Sequence, residues 1–171
     1  MADITYSEAR RTLKVLVEEA TARRSDQFYL SPHYDVQQLA SDATRIFLDK
    51  NNKAERSQMK GLENIALSAN SFSDIIDYIK NQTGRSTRTG DQWRDRMFGL
   101  NLHNALWHKV RERAEQDAET LFKKAQTRKM ARALEAEDYD RQDLERELRL
   151  LYARSYIQHL VAHFVYQAET S

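Results

Sequence analysis

The sequence predicts an all-α protein, a single domain built as a bundle of about five helices. Three observations lead there. Breakers are scarce, with one proline and four glycines in 171 residues, whereas a many-turned β protein needs such punctuation at short intervals. Good helix formers (Ala, Leu, Glu, Arg, Gln, Lys) dominate long stretches. Apolar residues recur at steps of three and four, and no stretch alternates with the period of a strand for more than a few residues.

Each element has its own warrant. Thr5-Tyr6-Ser7-Glu8 has the form of a capping box, and the helix it opens carries Ala9, Leu13, Leu16 and Ala20 on one stripe, with an end expected near Arg24. A connector, SDQFYLSPHYD, follows. Ser31-Pro32 supplies an N-cap and first-turn pair for a second helix with Val36, Leu39, Ala43, Ile46 and Phe47, and Asn51-Asn52-Lys53 breaks it.

A third, central helix is expected over 54–83. Its stripe of Met59, Leu62, Ile65, Ala66, Ala69, Phe72, Ile76 and Ile79 is the strongest periodic signal in the chain. The glycines and small polar residues of 84–90 read as a mobile, exposed basic loop. Residues 91–168 then form long C-terminal helices. The first starts near Asp91, is bent by Gly99, and continues as Leu102, Leu106, Val110, Ala114, Ala118, Leu121, Ala125 and Ala133. This stripe holds few large residues, so the helix is expected to project or to pack against one neighbour. Residues 137–140 break the chain before a last helix with Leu144, Leu148, Leu151, Ser155, Ile157, Leu160, Val161 and Phe164 inward. In domain terms, 1–171 is one unit with N-terminal helices in 1–53.

Composition narrows the chemistry. With no cysteine, disulfides, thiol catalysis and cysteine zinc sites are excluded. No apolar run reaches the roughly 18 residues of a membrane helix, and the first residues lack a signal-peptide core, so a cytoplasmic protein is expected. The formal net charge is only +1, yet residues 84–132 hold 12 Lys/Arg against 6 Asp/Glu. A basic surface on an otherwise acidic body suits an anionic partner.

His159 and His163, four apart in YIQHLVAHF, share a helical face, but Leu160, Val161 and Ala162 between them provide neither a third ligand nor a catalytic Glu. His103 and His108 face differently. No catalytic residue, metal ligand or cofactor is nominated, and an enzyme is not expected; the carboxylate pairs Glu18-Glu19 and Asp138/Asp140 fall on polar faces or breaks.

The basic residues carry more. Arg113 and Lys124 return to within about 20° after eleven residues of helix. Arg128 and Arg132 follow at steps of four, with Lys123 and Lys129 flanking. Together with Arg85, Arg88, Arg94 and Arg96 they form a candidate track for a phosphate backbone. Arg94 beside Trp93 also offers a stacking partner for a base. The competing expectation is that these cations pair with Glu115, Glu119 and Glu135 at helical spacing. Trp93, Phe98 and Trp107 read as core anchors, one of them at an interface.

Two stretches carry a resemblance. Ser57-Gln58-Met59-Lys60-Gly61-Leu62 and Tyr156–Phe164 resemble, in the same order, the opening and closing helical segments of the small all-helical subunit of type III (III-A-like) CRISPR effector complexes, with the small subunit of type III-B or of another CRISPR subtype as neighbouring alternatives. His108-Lys109-Val110-Arg111 is similar to that family's middle segment. The chain departs from the pattern in the length before Ser57, in residues 84–90, and in having His163 where a tyrosine is usual. The resemblance implies a non-catalytic antiviral-defence subunit, stacked along a ribonucleoprotein filament beside larger subunits and copies of itself. Such a subunit would hold guide or target RNA by its backbone, leaving sequence reading to base pairing. Lys60 and Arg111 are the basic residues on matching segments. The alternative is a helical protein-interaction or regulatory module that binds no nucleic acid.

Overall fold

The computed structural model describes residues 3–47, 56–127 and 129–170. All regular structure among them is helical, as the sequence predicts. The predicted break at Asn51–Lys53 lies outside the described residues.

Nine α-helical segments occur among the described residues: α1 (Tyr6–Leu30), α2 (Val36–Phe47), α3 (Arg56–Ser68), α4 (Phe72–Gly84), α5 (Arg88–Arg94), α6 (Phe98–Asn104), α7 (Arg111–Thr127), α8 (Ala131–Glu135) and α9 (Arg141–Thr170). A π-helical turn, Ala105–Val110, joins α6 to α7 in one rod. With that rod taken as one helix and the five-residue α8 set aside, the bundle has seven helices rather than about five.

Helix α9 is the hub. Its 30 residues span about 45 Å, and α1, α2, α3, α4 and α7 all pack on it. Helix α1 runs alongside in the same direction: Arg10 meets Glu147, Ser25 meets His159, and Tyr29 stacks on His163. Helix α3 runs the opposite way, with Arg56 on Glu169 at one end and Arg154 donating to the carbonyls of Ala66 and Ala69 at the other.

The extra helices come from breaks that the apolar stripe runs straight through. The central helix expected over 54–83 is two helices. Ser71 accepts from the Asp74 amide while the Asp74 carboxylate accepts from the Ser71 amide, a second capping box that ends one helix and starts the next. The expected basic loop at 84–90 shrinks to three residues, because α4 runs to Gly84 and α5 starts at Arg88. That corner is clamped: a Cβ on Gly90 would lie 1.7 Å from the Arg85 carbonyl oxygen, and one on Gly99 would lie 2.0 Å from Thr83 Oγ1. Only glycine permits those approaches.

Helix α1 continues past Arg24 to Leu30, since Phe28 is fully buried against Tyr34, Tyr152 and Tyr156. The bend expected at Gly99 falls just before it, where Arg96 and Met97 take left-handed φ values of 51° and 57°.

The expectation of a helix packed on one neighbour is also corrected. Helix α7 lies on both α9 and α1, with Ala114, Ala118 and Ala125 fully buried. Small side chains here permit close approach of backbones, so a thin stripe does not mean a thin interface. Within the core Trp93 packs against Phe47, Tyr78 and Phe98, its Nε1 donating to Gln58.

Candidate nucleic-acid interface

The nominated basic residues do not form one track. Arg94 is consumed by the fold: its Nη1 donates to the carbonyls of Thr83 and Arg85, and its Nη2 reaches Asp91 at 2.7 Å. It closes the C-terminus of α4, where carbonyls lack helical partners. Its neighbour Trp93 is fully buried, so the stacking role expected of that pair is overturned.

Lys60 lies 3.6 Å from Glu63. Arg111 bonds Glu115 at 3.2 Å, donates to the Trp107 carbonyl, and lays its guanidinium 4.3 Å from the centre of the Trp107 ring. Glu115 also takes Arg149, and Glu119 takes Lys123. The competing expectation of internal pairing is thus met at Glu115 and Glu119.

The azimuths divide the rest. On α7, Arg111 stands on the flank beside Arg149 of α9. Arg113 and Lys124 are rotated roughly 140–160° away at 100° per residue, on the flank where Asp117 meets Arg24 of α1. Arg113 is half-buried, with its Nε enclosed and unbonded.

Beyond Lys124 the helix expected to carry the slowly drifting line of cations ends. The amide of Lys129 donates to the Gln126 carbonyl and that of Met130 to the Ala125 carbonyl, with Lys129 at φ 60°. This is a Schellman termination with lysine in the place usually given to glycine. Lys124 therefore lies before this turn, Lys129 on it and Arg132 after it, rather than all along one helix. All three are exposed, and their side chains have no hydrogen bond or ion pair among the described residues. Arg128 lies outside the described residues. Arg85 and Arg88 are exposed at the separate α4–α5 corner.

The two C-terminal histidines sit in the seam between α1 and α9. Ser25 Oγ lies 2.6 Å from His159 Nε2 and accepts a bond from Ser155 Oγ; Tyr29 stacks on His163 at 4.6 Å. Burial, with help from His163 and against Asp26, holds the His159 pKa below its ordinary value. Both Ser25 and His159 are mid-helix, so the neighbouring backbone amides are bonded within their helices and offer no oxyanion donors. No group of three or more His, Asp or Glu among the described residues could hold a metal ion. Of the carboxylates weighed earlier, Asp140 caps α9 in a reciprocal pair with Asp143, and Glu18 lies 4.0 Å from Lys14.

Sequence reasoning missed the Ser25–His159 contact, because 134 positions separate the partners. It also missed the Trp107–Arg111 stack. The i, i+4 spacing of His103, Trp107 and Arg111 was the available signal. No described helix is long and apolar enough to cross a membrane. No protein-family model, curated protein or solved structure gives a match to this chain.

Proposed function

We propose that this chain is a non-catalytic helical subunit that holds RNA by its phosphate backbone, within a CRISPR-type ribonucleoprotein effector of the kind its sequence resembles. The observation that carries this reading is the set of Lys124, Lys129 and Arg132 around the end of α7. Three exposed cations flank a backbone reversal, and no carboxylate among the described residues neutralises them. A long, strongly hydrated cation left unpaired is well suited to a phosphate, whose neutralisation releases counterions and gives sequence-independent affinity. Arg85 and Arg88 supply a second basic corner, on a turn held stiff by Gly90 and Arg94.

Binding of a labelled single-stranded RNA across a salt series tests it. Affinity is expected to fall steeply with salt. The triple variant Lys124→Glu, Lys129→Glu, Arg132→Glu is expected to lower the log–log salt slope by about 2, at roughly 0.7 per phosphate contact on a single strand. Absence of binding near ~50 mM salt, where such contacts are strongest, sinks the reading.

A helical protein-interaction module is the second reading. The pairing of Arg111 with Glu115 and of Lys123 with Glu119 favours it, since those cations are already satisfied. It predicts that larger protein subunits co-purify with the chain after nuclease treatment, and that the triple variant leaves that association intact.

A further inference from the structure

On the rod formed by α6, the π-turn and α7, His103, Trp107 and Arg111 stand in one line at steps of four. A π-turn, closed by the Arg111 amide on the Leu106 carbonyl, lies between them, and its wider coil turns less per residue than an α-helix. The rings are close to parallel. His103 and Trp107 are inclined by 15° with centroids 6.1 Å apart, and Phe72 of α4 is inclined to Trp107 by 26°. The Arg111 guanidinium continues the ladder over the indole.

Trp107 is not a core residue. It is 37% exposed, whereas Trp93 is fully buried. Met97 and Leu100 on the same stretch are 56% and 46% exposed. From Arg96 to Arg111 the chain holds Arg96, His103, His108, Lys109 and Arg111 and not one Asp or Glu. Within this stretch Lys109 is drawn to Asp35 and Arg111 to Glu115. Parallel rings topped by a guanidinium plane, on a segment that is basic and carries no acid of its own, suit a flat, electron-rich ring attached to an anionic backbone.

We infer that Trp107, with Arg111 and His103, is a stacking platform for an unpaired base of single-stranded RNA. This deepens the proposed function and rests on it. The base extends the ladder on the exposed part of the Trp107–Arg111 stack, and the phosphates on either side meet Arg96 and His108, the exposed basic residues of the same stretch. Stacking of this kind is tolerant of base identity, because every base offers a π-face. A subunit that reads no sequence has use for such a contact.

Intrinsic fluorescence gives a direct test, since Trp107 is the accessible tryptophan of the two. Oligoadenylate and an abasic oligonucleotide of equal length and charge are titrated into the wild type and into Trp107→Ala and Trp107→Phe. The expected results are quenching of Trp107 by oligoadenylate and not by the abasic strand, and affinity for oligoadenylate weakened about 5- to 100-fold in Trp107→Ala, consistent with the usual worth of one stacked base. An unchanged salt slope and a smaller loss in Trp107→Phe complete the pattern. Matching thermal midpoints show that the variants are folded. Oligoadenylate binding that is equal in wild type and Trp107→Ala, or matched by the abasic strand, overturns the platform while leaving backbone binding standing. No binding of either strand at low salt overturns the RNA reading itself, and the platform with it. Loss of a protein subunit from Trp107→Ala with RNA affinity intact overturns the platform in favour of a protein contact.

Discussion

Arg24 and Asp117, 93 positions apart, are joined twice: Nε to Oδ2 at 2.7 Å and Nη2 to Oδ1 at 2.9 Å. The hydroxyl of Tyr152 donates to the same carboxylate at 2.7 Å. Three helices, α1, α7 and α9, therefore share one buried carboxylate. The guanidinium is held in its charged form by the bond to Asp117, and burial pushes the Tyr152 phenol well above its ordinary range.

Removing Asp117 takes from Arg24 its carboxylate and from the Tyr152 hydroxyl its acceptor. Asp117→Ala is expected to cost about 3 kcal/mol, as for other broken buried pairs. The double variant Arg24→Met, Asp117→Leu is expected to recover most of the loss, because it removes both charges together. Urea denaturation midpoints of the two variants check this, and a double variant no better than the single one counts against it.

The clamped α4–α5 corner predicts opposite outcomes for two glycines. Gly90→Ala puts a Cβ into the Arg85 carbonyl, and a backbone clash cannot be relieved by a rotamer change; a loss of about 1–3 kcal/mol is expected, or more if the turn opens. Gly84→Ala meets nothing within 4 Å near the end of a helix, and is expected to stabilise by up to about 1 kcal/mol. Thermal midpoints should move in opposite directions.

Arg94 provides a control for the interface. Its donors are spent on Thr83, Arg85 and Asp91. Arg94→Ala is therefore expected to lower stability by about 1–2 kcal/mol while leaving the salt slope of RNA binding unchanged. A slope reduced as much as by loss of Lys124 would return Arg94 to the interface.

The α1–α9 seam predicts a pH dependence. Burial, then His163, lowers the His159 pKa from 6.5, so the folded state favours the neutral ring. That contribution is fully present above about pH 6.5 and is lost as pH falls through it, because the unfolded chain binds the proton more readily. Unfolding free energy should fall between pH 7.5 and 5.5, and His159→Gln should flatten this fall. An equally steep profile in the variant would assign the effect elsewhere.

Much of the fold is legible in the sequence because its determinants are local. The Thr5–Glu8 capping box and most of the apolar stripe of α9 are found as written, whereas Ser31-Pro32 opens a three-residue 3-10 turn, Pro32–Tyr34, and α2 starts only at Val36. What was illegible has three causes. The stripe through Ala66, Ala69 and Phe72 keeps helical steps across the break at Ser71, so periodicity masked a cap that Ser71 and Asp74 did encode. The reversals at Lys129 and Asp138 use left-handed residues that are not glycine, so the usual terminator was missing from the text. The fate of each cation depended on distant partners: Arg94 looked free because the Thr83 and Arg85 carbonyls are backbone groups, which leave no mark in the residue names. The site suffered most, since separating spent cations from free ones requires the tertiary structure.

The central position of α9 also governs how the chain reaches its fold. Arg10, Ser25, Thr44 and Arg56 find their partners at Glu147, His159, Gln167 and Glu169, each more than a hundred residues onward. Helical proteins usually fold fast because their contacts are local, and contacts this distant slow the search. On a translating ribosome the first three helices would emerge with their apolar faces uncovered and wait for most of the remaining chain before gaining a shared surface. That interval exposes them to chaperones, and to self-association, more than a bundle of sequential hairpins would be.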